Sequence, residues 1–136
     1  MEDDCDKLAG KCRHVLVHAR ASLSRAQEVV ERIRAEGGSA ELWCSDLTDA
    51  NATQQALATV LEAGVPQVIV HNAGTHDDVT MAGMAPAQWR DELAVSLDGF
   101  FNVVRTLLLP LTRTPWGGLI ALSGITARMG DWGQVS

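Results

Sequence analysis

No tyrosine occurs anywhere in the 136 residues, and the only lysines are Lys7 and Lys11. A site that needs a phenolic hydroxyl as proton donor, with a lysine beside it, therefore has no donor in this chain. Aromatic residues make up 4% of the sequence, too few for a base-stacking platform, and no basic patch offsets the formal net charge of −6. A nucleic-acid surface is excluded on both counts. Half of that charge lies in residues 1–7, where Glu2, Asp3, Asp4 and Asp6 face Lys7 alone. Such an acidic start is the opposite of a secretory leader, and no uninterrupted apolar run approaches the roughly 18 residues of a membrane span. Cys5, Cys12 and Cys44 are odd in number, with no C-x-x-C pair and no histidine at ligand spacing. They read as reduced structural or surface thiols, and the expected address is cytoplasmic.

What is present is a strand–helix alternation. "HVLVHAR" (14–20), "AELWCS" (40–45), "PQVIVH" (66–71) and "GLIALS" (118–123) are short apolar runs that fit buried parallel strands. Between the first two, Ser24 is expected to open a helix with Gln27 as its capping-box partner, and Gly37-Gly38 to close it. Ala26, Val29, Val30 and Ile33 fall on one face of that helix. Thr48 is the expected cap of the next helix, with Ala56, Leu57, Val60 and Leu61 as its buried stripe and Gly64 at its end. A long helix is predicted from about Pro86 to Thr112, with a seam through Trp89, Leu93, Leu97, Phe100, Val104, Leu107 and Leu111 and an early kink or end at Pro110. Residues 124–136 read as loop.

Alternation of this kind predicts an α/β fold, a parallel sheet with helices packed on its faces, in one domain over residues 1–136. Ligands in such sheets bind at the carboxyl ends of the strands, here Arg20, Asp46, Asn72-Ala73-Gly74 and Ser123. Asn72-Ala73-Gly74 is either a plain turn or a place where backbone approaches a ligand closely. Asp46 is either an acceptor for an adenine amino group or a capping carboxylate. Arg20 is either a solvated cation or a partner for a 2′-phosphate. His76-Asp77-Asp78 resembles a metal cluster, but adjacent loop positions rarely converge on one ion, so no metal is expected. His14, His18 and His71 lie in strand patterns and read as structural.

In order along the chain, "CSDLTD" (44–49), "VIVHNAG" (68–74), "AVSLDGFFNV" (94–103) and "GGLIALSGITARMGDWGQVS" (117–136) resemble the short-chain dehydrogenase/reductase family. Within it the chain is most similar to the 3-oxoacyl-acyl-carrier-protein reductases. The resemblance implies a Rossmann-type three-layer sandwich and NADP(H) as cofactor. Asp46 would then contact adenine, Asn72, Ala73 and Gly74 would support the ribose end, and Arg20 would favour a 2′-phosphate. It also implies departures. The family's glycine-rich phosphate loop and the first strand before it have no counterpart, and "KLAGKCR" (7–13) resembles the tail of the helix that follows that loop. The family's helix asparagine falls at Ser96 and its catalytic serine at Gly124, with Ser123 one residue early; its Tyr-x-x-x-Lys would begin just after Ser136.

The expectation is therefore a fragment or truncated reductase, a partial Rossmann unit with its first strand missing, inactive alone and weak in NADP(H) binding. The intact form would be an NADPH-dependent 3-oxoacyl reductase with acyl-carrier protein as a possible partner. The alternatives are a non-catalytic module that associates with itself or a related subunit through the 86–112 helix, or a family member acting on another alcohol or ketone. Neither nucleic acid nor membrane is an expected partner.

Overall fold

The computed structural model describes residues 13–75 and 79–124. The chain divides into two units, Met1–Asp46 and Leu47–Ser136.

In the first unit, strand β1 (His14–Ala19) pairs in parallel with β2 (Ser39–Cys44), from His14 opposite Ser39 to Ala19 opposite Cys44. Helix α1 (Leu23–Ala35) makes the crossover between them. The four predicted stripe residues of α1 are all buried, and they form one core with Val15, Val17 and Ala40. The predicted start of α1 is corrected. Ser22, not Ser24, is the N-cap, without a side-chain hydrogen bond, and Gln27 donates to Glu31 Oε1 at 3.0 Å instead of closing a capping box. The i, i+4 neighbour on the helix surface is simply within easier reach than the backbone of the cap. At the other end Gly37 takes φ +83°, and the Gly38 N–H reaches back to the Ile33 carbonyl, satisfying an orphan acceptor of the last turn.

In the second unit, helix α2 (Ala50–Ala63) is capped by Asp49, not by Thr48 as predicted. The Asp49 carboxylate accepts from the N–H groups of Asn51 and Ala52, two of the donors that the first turn leaves unpaired. Leu57 of the expected stripe is buried, joined by Thr53, while Ala56, Val60 and Leu61 are half-buried. Strand β3 (Val68–His71) pairs in parallel with β4 (Gly118–Ala121), and Leu122 N–H continues the ladder to the His71 carbonyl. Among the described residues, the strands make two separate two-stranded sheets.

The long predicted helix is present as α3 (Pro86–Thr112), but it is not regular. Residues Ala94–Asp98 form a π turn, in which the Gly99 N–H donates to the Ala94 carbonyl five residues back. One extra residue rotates everything before it by roughly 100° relative to everything after it. The continuous seam expected from three- and four-residue spacing is therefore broken. Leu107 and Leu111 are buried as predicted, while Trp89 and Leu97 are exposed, and Glu92 is buried in the first stretch. Pro110 does not end the helix, which continues to Thr112. Its ring removes one N–H in the penultimate part of the last turn, where little remains to be disrupted. Gly99 lies where α3 meets the segment before α2: a Cβ there would sit 3.2 Å from Leu47 Cβ, so a larger residue would push the two apart. By length and composition alone α3 could span a membrane. The same two properties belong to the core helices of globular domains.

Candidate functional site

The carboxyl ends of β1 and β2 carry one half of the predicted site. Parallel pairing of Ala19 with Cys44 sets the next residues of both strands side by side. Arg20 and Asp46, 26 positions apart in number, meet there: Arg20 Nε lies 3.5 Å from Asp46 Oδ2, with 59% and 43% of the side chains exposed. The Cys44 thiol donates to the Arg20 carbonyl at 3.8 Å and ties the two strand ends together a second time. Cys44 is exposed and free, as its sequence context suggests.

Behind this pair, His18 donates from Nε2 to the Ser45 carbonyl at 3.0 Å, and its ring lies 4.6 Å from that of Trp43, its register partner on β2. Burial pushes the His18 imidazole below its ordinary pKa, against opposing contributions from the Ser45 hydrogen bond and the Asp46 carboxylate. The expected structural role of His18 fits this geometry. The corner thus presents a guanidinium and a carboxylate to solvent, with His18 close enough to feel the Asp46 charge.

The second half of the predicted site lies in the Leu47–Ser136 unit. Asn72, Ala73 and Gly74 follow the last residue of β3, and Ser96 lies in the π turn of α3. These two features adjoin, since a Cβ built on Gly74 would come 3.9 Å from Ser96 Oγ. Ser96, where the resemblance puts the family's asparagine, therefore lies beside the Asn-Ala-Gly turn, with a short hydroxyl in place of an amide. π turns of this sort often mark functional positions, because they leave main-chain groups outside the regular ladder. His71 is buried with its ring edge-on to Phe100, 5.2 Å between centroids, which fits a structural role. Ser123 and Gly124 follow β4 and are exposed.

His76, Asp77 and Asp78 lie outside the described residues, as do Lys7, Lys11, Cys5, Cys12 and the stretch from Ile125 to Ser136. Among the described residues no group of three histidine, cysteine or acidic side chains could hold a metal ion.

Thr53, Glu92 and Asn102 are buried polar residues that the sequence reading did not single out. Asn102 of α3 donates from Nδ2 to the Leu47 carbonyl at 2.8 Å, and its own carbonyl accepts from Thr106 Oγ1 at 2.9 Å. The signal was available in "FFNVV", a lone amide inside an apolar run at a buried spacing.

Comparison with known proteins gives a consistent picture. The 3-oxoacyl-(acyl-carrier-protein) reductase of Aggregatibacter actinomycetemcomitans is 27% identical over 124 residues, covering 90% of this chain and 51% of that protein. Its counterpart in Staphylococcus aureus strain Mu50 is 28% identical over 131 residues, covering 96% of this chain and 53% of that protein. The chain spans about half the length of the curated relatives it matches. Among solved structures, a 3-oxoacyl-(acyl-carrier-protein) reductase from Agrobacterium tumefaciens C58, crystallised with NADP, superposes with a TM-score of 0.86 at 24% identity, covering 96% of this chain and 50% of that one. A gluconate 5-dehydrogenase from Burkholderia cenocepacia J2315, in complex with NADP and tartrate, gives the same TM-score of 0.86 at 20% identity. The model of the short chain dehydrogenase family matches residues 3–136, nearly the whole chain, with its parallel strands and the Asn-Ala-Gly turn inside the match, and the chain belongs to that family.

Proposed function

We propose that this chain carries the adenosine-side portion of an NADPH-dependent ketone reductase, whose whole protein reduces a 3-oxoacyl thioester. The observation that carries the cofactor reading is the exposed Arg20 guanidinium at the carboxyl end of β1, held beside Asp46. A cation at that corner suits a 2′-phosphate, and a carboxylate at the end of the neighbouring strand suits an adenine amino group. The acyl substrate, and acyl-carrier protein as its bearer, come from the names of the relatives. An exposed free thiol at Cys44 suits a reducing compartment such as the cytoplasm.

NADPH, when bound, supplies hydride to the carbonyl carbon. The carbonyl oxygen must then gain a proton, and no tyrosine exists in this chain to deliver it. Gly124 offers no hydroxyl at the position of the family's serine, and Ser96 offers no amide at that of its asparagine. The 136 residues alone are therefore expected to leave NADPH unconsumed in the presence of a 3-oxoacyl thioester. Steady loss of NADPH absorbance that persists after removal of contaminating reductases would overturn this.

Helix α3 supports a second role, association. Leu97, Phe101 and Leu108 form an exposed apolar stripe, 60%, 58% and 46% accessible, with the Arg105 guanidinium 6.0 Å from the Phe101 ring centre. Exposed apolar patches of this kind mark interaction surfaces. The purified chain is expected to sediment as a concentration-dependent oligomer, and Phe101→Glu to shift it to monomer. A wild-type monomer at high concentration would rule out the association reading and leave the cofactor reading standing.

A further inference from the structure

We propose that Asp46 sets the cofactor selectivity of this corner: by pairing with Arg20 it leaves the 2′ position of the adenosine subsite close to charge-neutral, so that phosphorylated and unphosphorylated dinucleotides are both accepted. The inference rests on the cofactor reading above. An arginine alone at such a place attracts a phosphate far more strongly than a neutral ribose hydroxyl, to which it can only donate, whereas a carboxylate beside it repels the phosphate. Here both groups are present and they are joined, Nε to Oδ2 at 3.5 Å. The arrangement is built into the fold. Register places Ala19 opposite Cys44, and the Cys44 thiol donates weakly to the Arg20 carbonyl at 3.8 Å, which brings the two strand ends together.

The geometry of the contact also matters. Asp46 approaches Arg20 at Nε, and the guanidinium carries five N–H donors, more than one carboxylate takes up, so donors remain for a phosphate. A phosphate of charge about −1.5 to −2 gripped by those donors would still lie within roughly one Debye length, about 8 Å, of the Asp46 carboxylate. Its repulsion is then felt and partly cancels the attraction of Arg20. His18 adds a third charge to the same corner only when protonated, a form its burial disfavours.

The test uses the whole chain and two probes of the adenosine end, adenosine 2′,5′-bisphosphate and adenosine 5′-monophosphate, titrated to tens of millimolar while the amide NMR signals of β1, β2 and the residues after them are followed. The wild-type dissociation constants are expected to differ by less than about tenfold in favour of the bisphosphate. Asp46→Asn removes the charge at constant shape and is expected to widen the ratio by about three- to tenfold, with a steeper dependence on salt. Asp46→Ser serves as a second variant if the first perturbs the fold, and Arg20→Gln should bring the ratio to about one or below. A wild-type ratio above tenfold, or a ratio that Asp46→Asn and Asp46→Ser leave unchanged or narrow, overturns the inference while the cofactor reading survives. Absence of any shift at these strand ends with either nucleotide overturns the cofactor reading itself, and the selectivity inference with it.

Discussion

Ile33→Ala is expected to destabilise the Met1–Asp46 unit by about 2–5 kcal/mol, the largest effect of any single truncation in that unit. Ile33 is 1% exposed, among the largest fully buried side chains, and lies in a cluster with Val15, Val17, Ala26, Val29, Val30 and Ala40. Removing three carbons there forfeits their transfer free energy and leaves a cavity that a two-stranded sheet under one helix can only partly close. A whole native domain is stable by only about 5–15 kcal/mol, so a loss of this size removes much of what holds α1 on the sheet. Ile33→Val, which deletes a single methylene, should cost about 0.5–1.5 kcal/mol. Hydrogen exchange of the α1 amides under increasing urea reads both values, because those amides exchange when the helix leaves the sheet. Equal protection in the alanine and valine variants would show that this cluster does not hold the unit together.

Asn102→Leu should cost the Leu47–Ser136 unit about 1–3 kcal/mol, even though leucine is the more apolar residue. Asn102 is 9% exposed, and its amide is the hydrogen-bond donor that the structure places on the Leu47 carbonyl, 55 residues earlier. Leucine fills a similar volume but cannot donate, so the carbonyl is stranded away from water. The consequence is positional as well as energetic. Leu47 lies two residues before the Asp49 cap of α2, so loss of the bond should loosen the entry to that helix and raise exchange of the Asn51 and Ala52 amides first. Thr106→Val deletes a hydroxyl that bonds within the same helix, to the Asn102 carbonyl, and is expected to cost well under half as much. A thermal-melt series of the three proteins, with exchange at residues 51 and 52, checks the order. Should Asn102→Leu prove as stable as wild type, the bond has no structural weight.

The Arg20–Asp46 contact shows how far the candidate site could be read in advance. Each residue was identifiable separately, since each follows an apolar run at a strand's carboxyl end. Their ion pair was not, because it depends on which strands are neighbours and in what register, and pairing of Ala19 with Cys44 is a property of the sheet. The misassigned cap of α2 has a related cause. Thr48 and Asp49 are both good capping residues, and the choice between them rests on where the backbone turns into the helix, which residue type alone does not give.

The sequence by itself determined the order of strands and helices, the stripe of α1, the parallel arrangement, the family and the absence of a tyrosine proton donor. All of these follow from residue identity or from spacing within a few turns, and such local signals survive without knowledge of neighbours. Tertiary structure decided which face of α3 is buried, because a π turn at Ala94–Asp98 offsets the two halves of the helix, and periodicity assumes an unbroken turn. It also decided that Ser96 adjoins Gly74, that Asn102 reaches Leu47, and that Arg20 meets Asp46. Those contacts join residues 22 to 55 positions apart, and only packing of side chains at close to crystalline density selects one partner from the many that spacing allows.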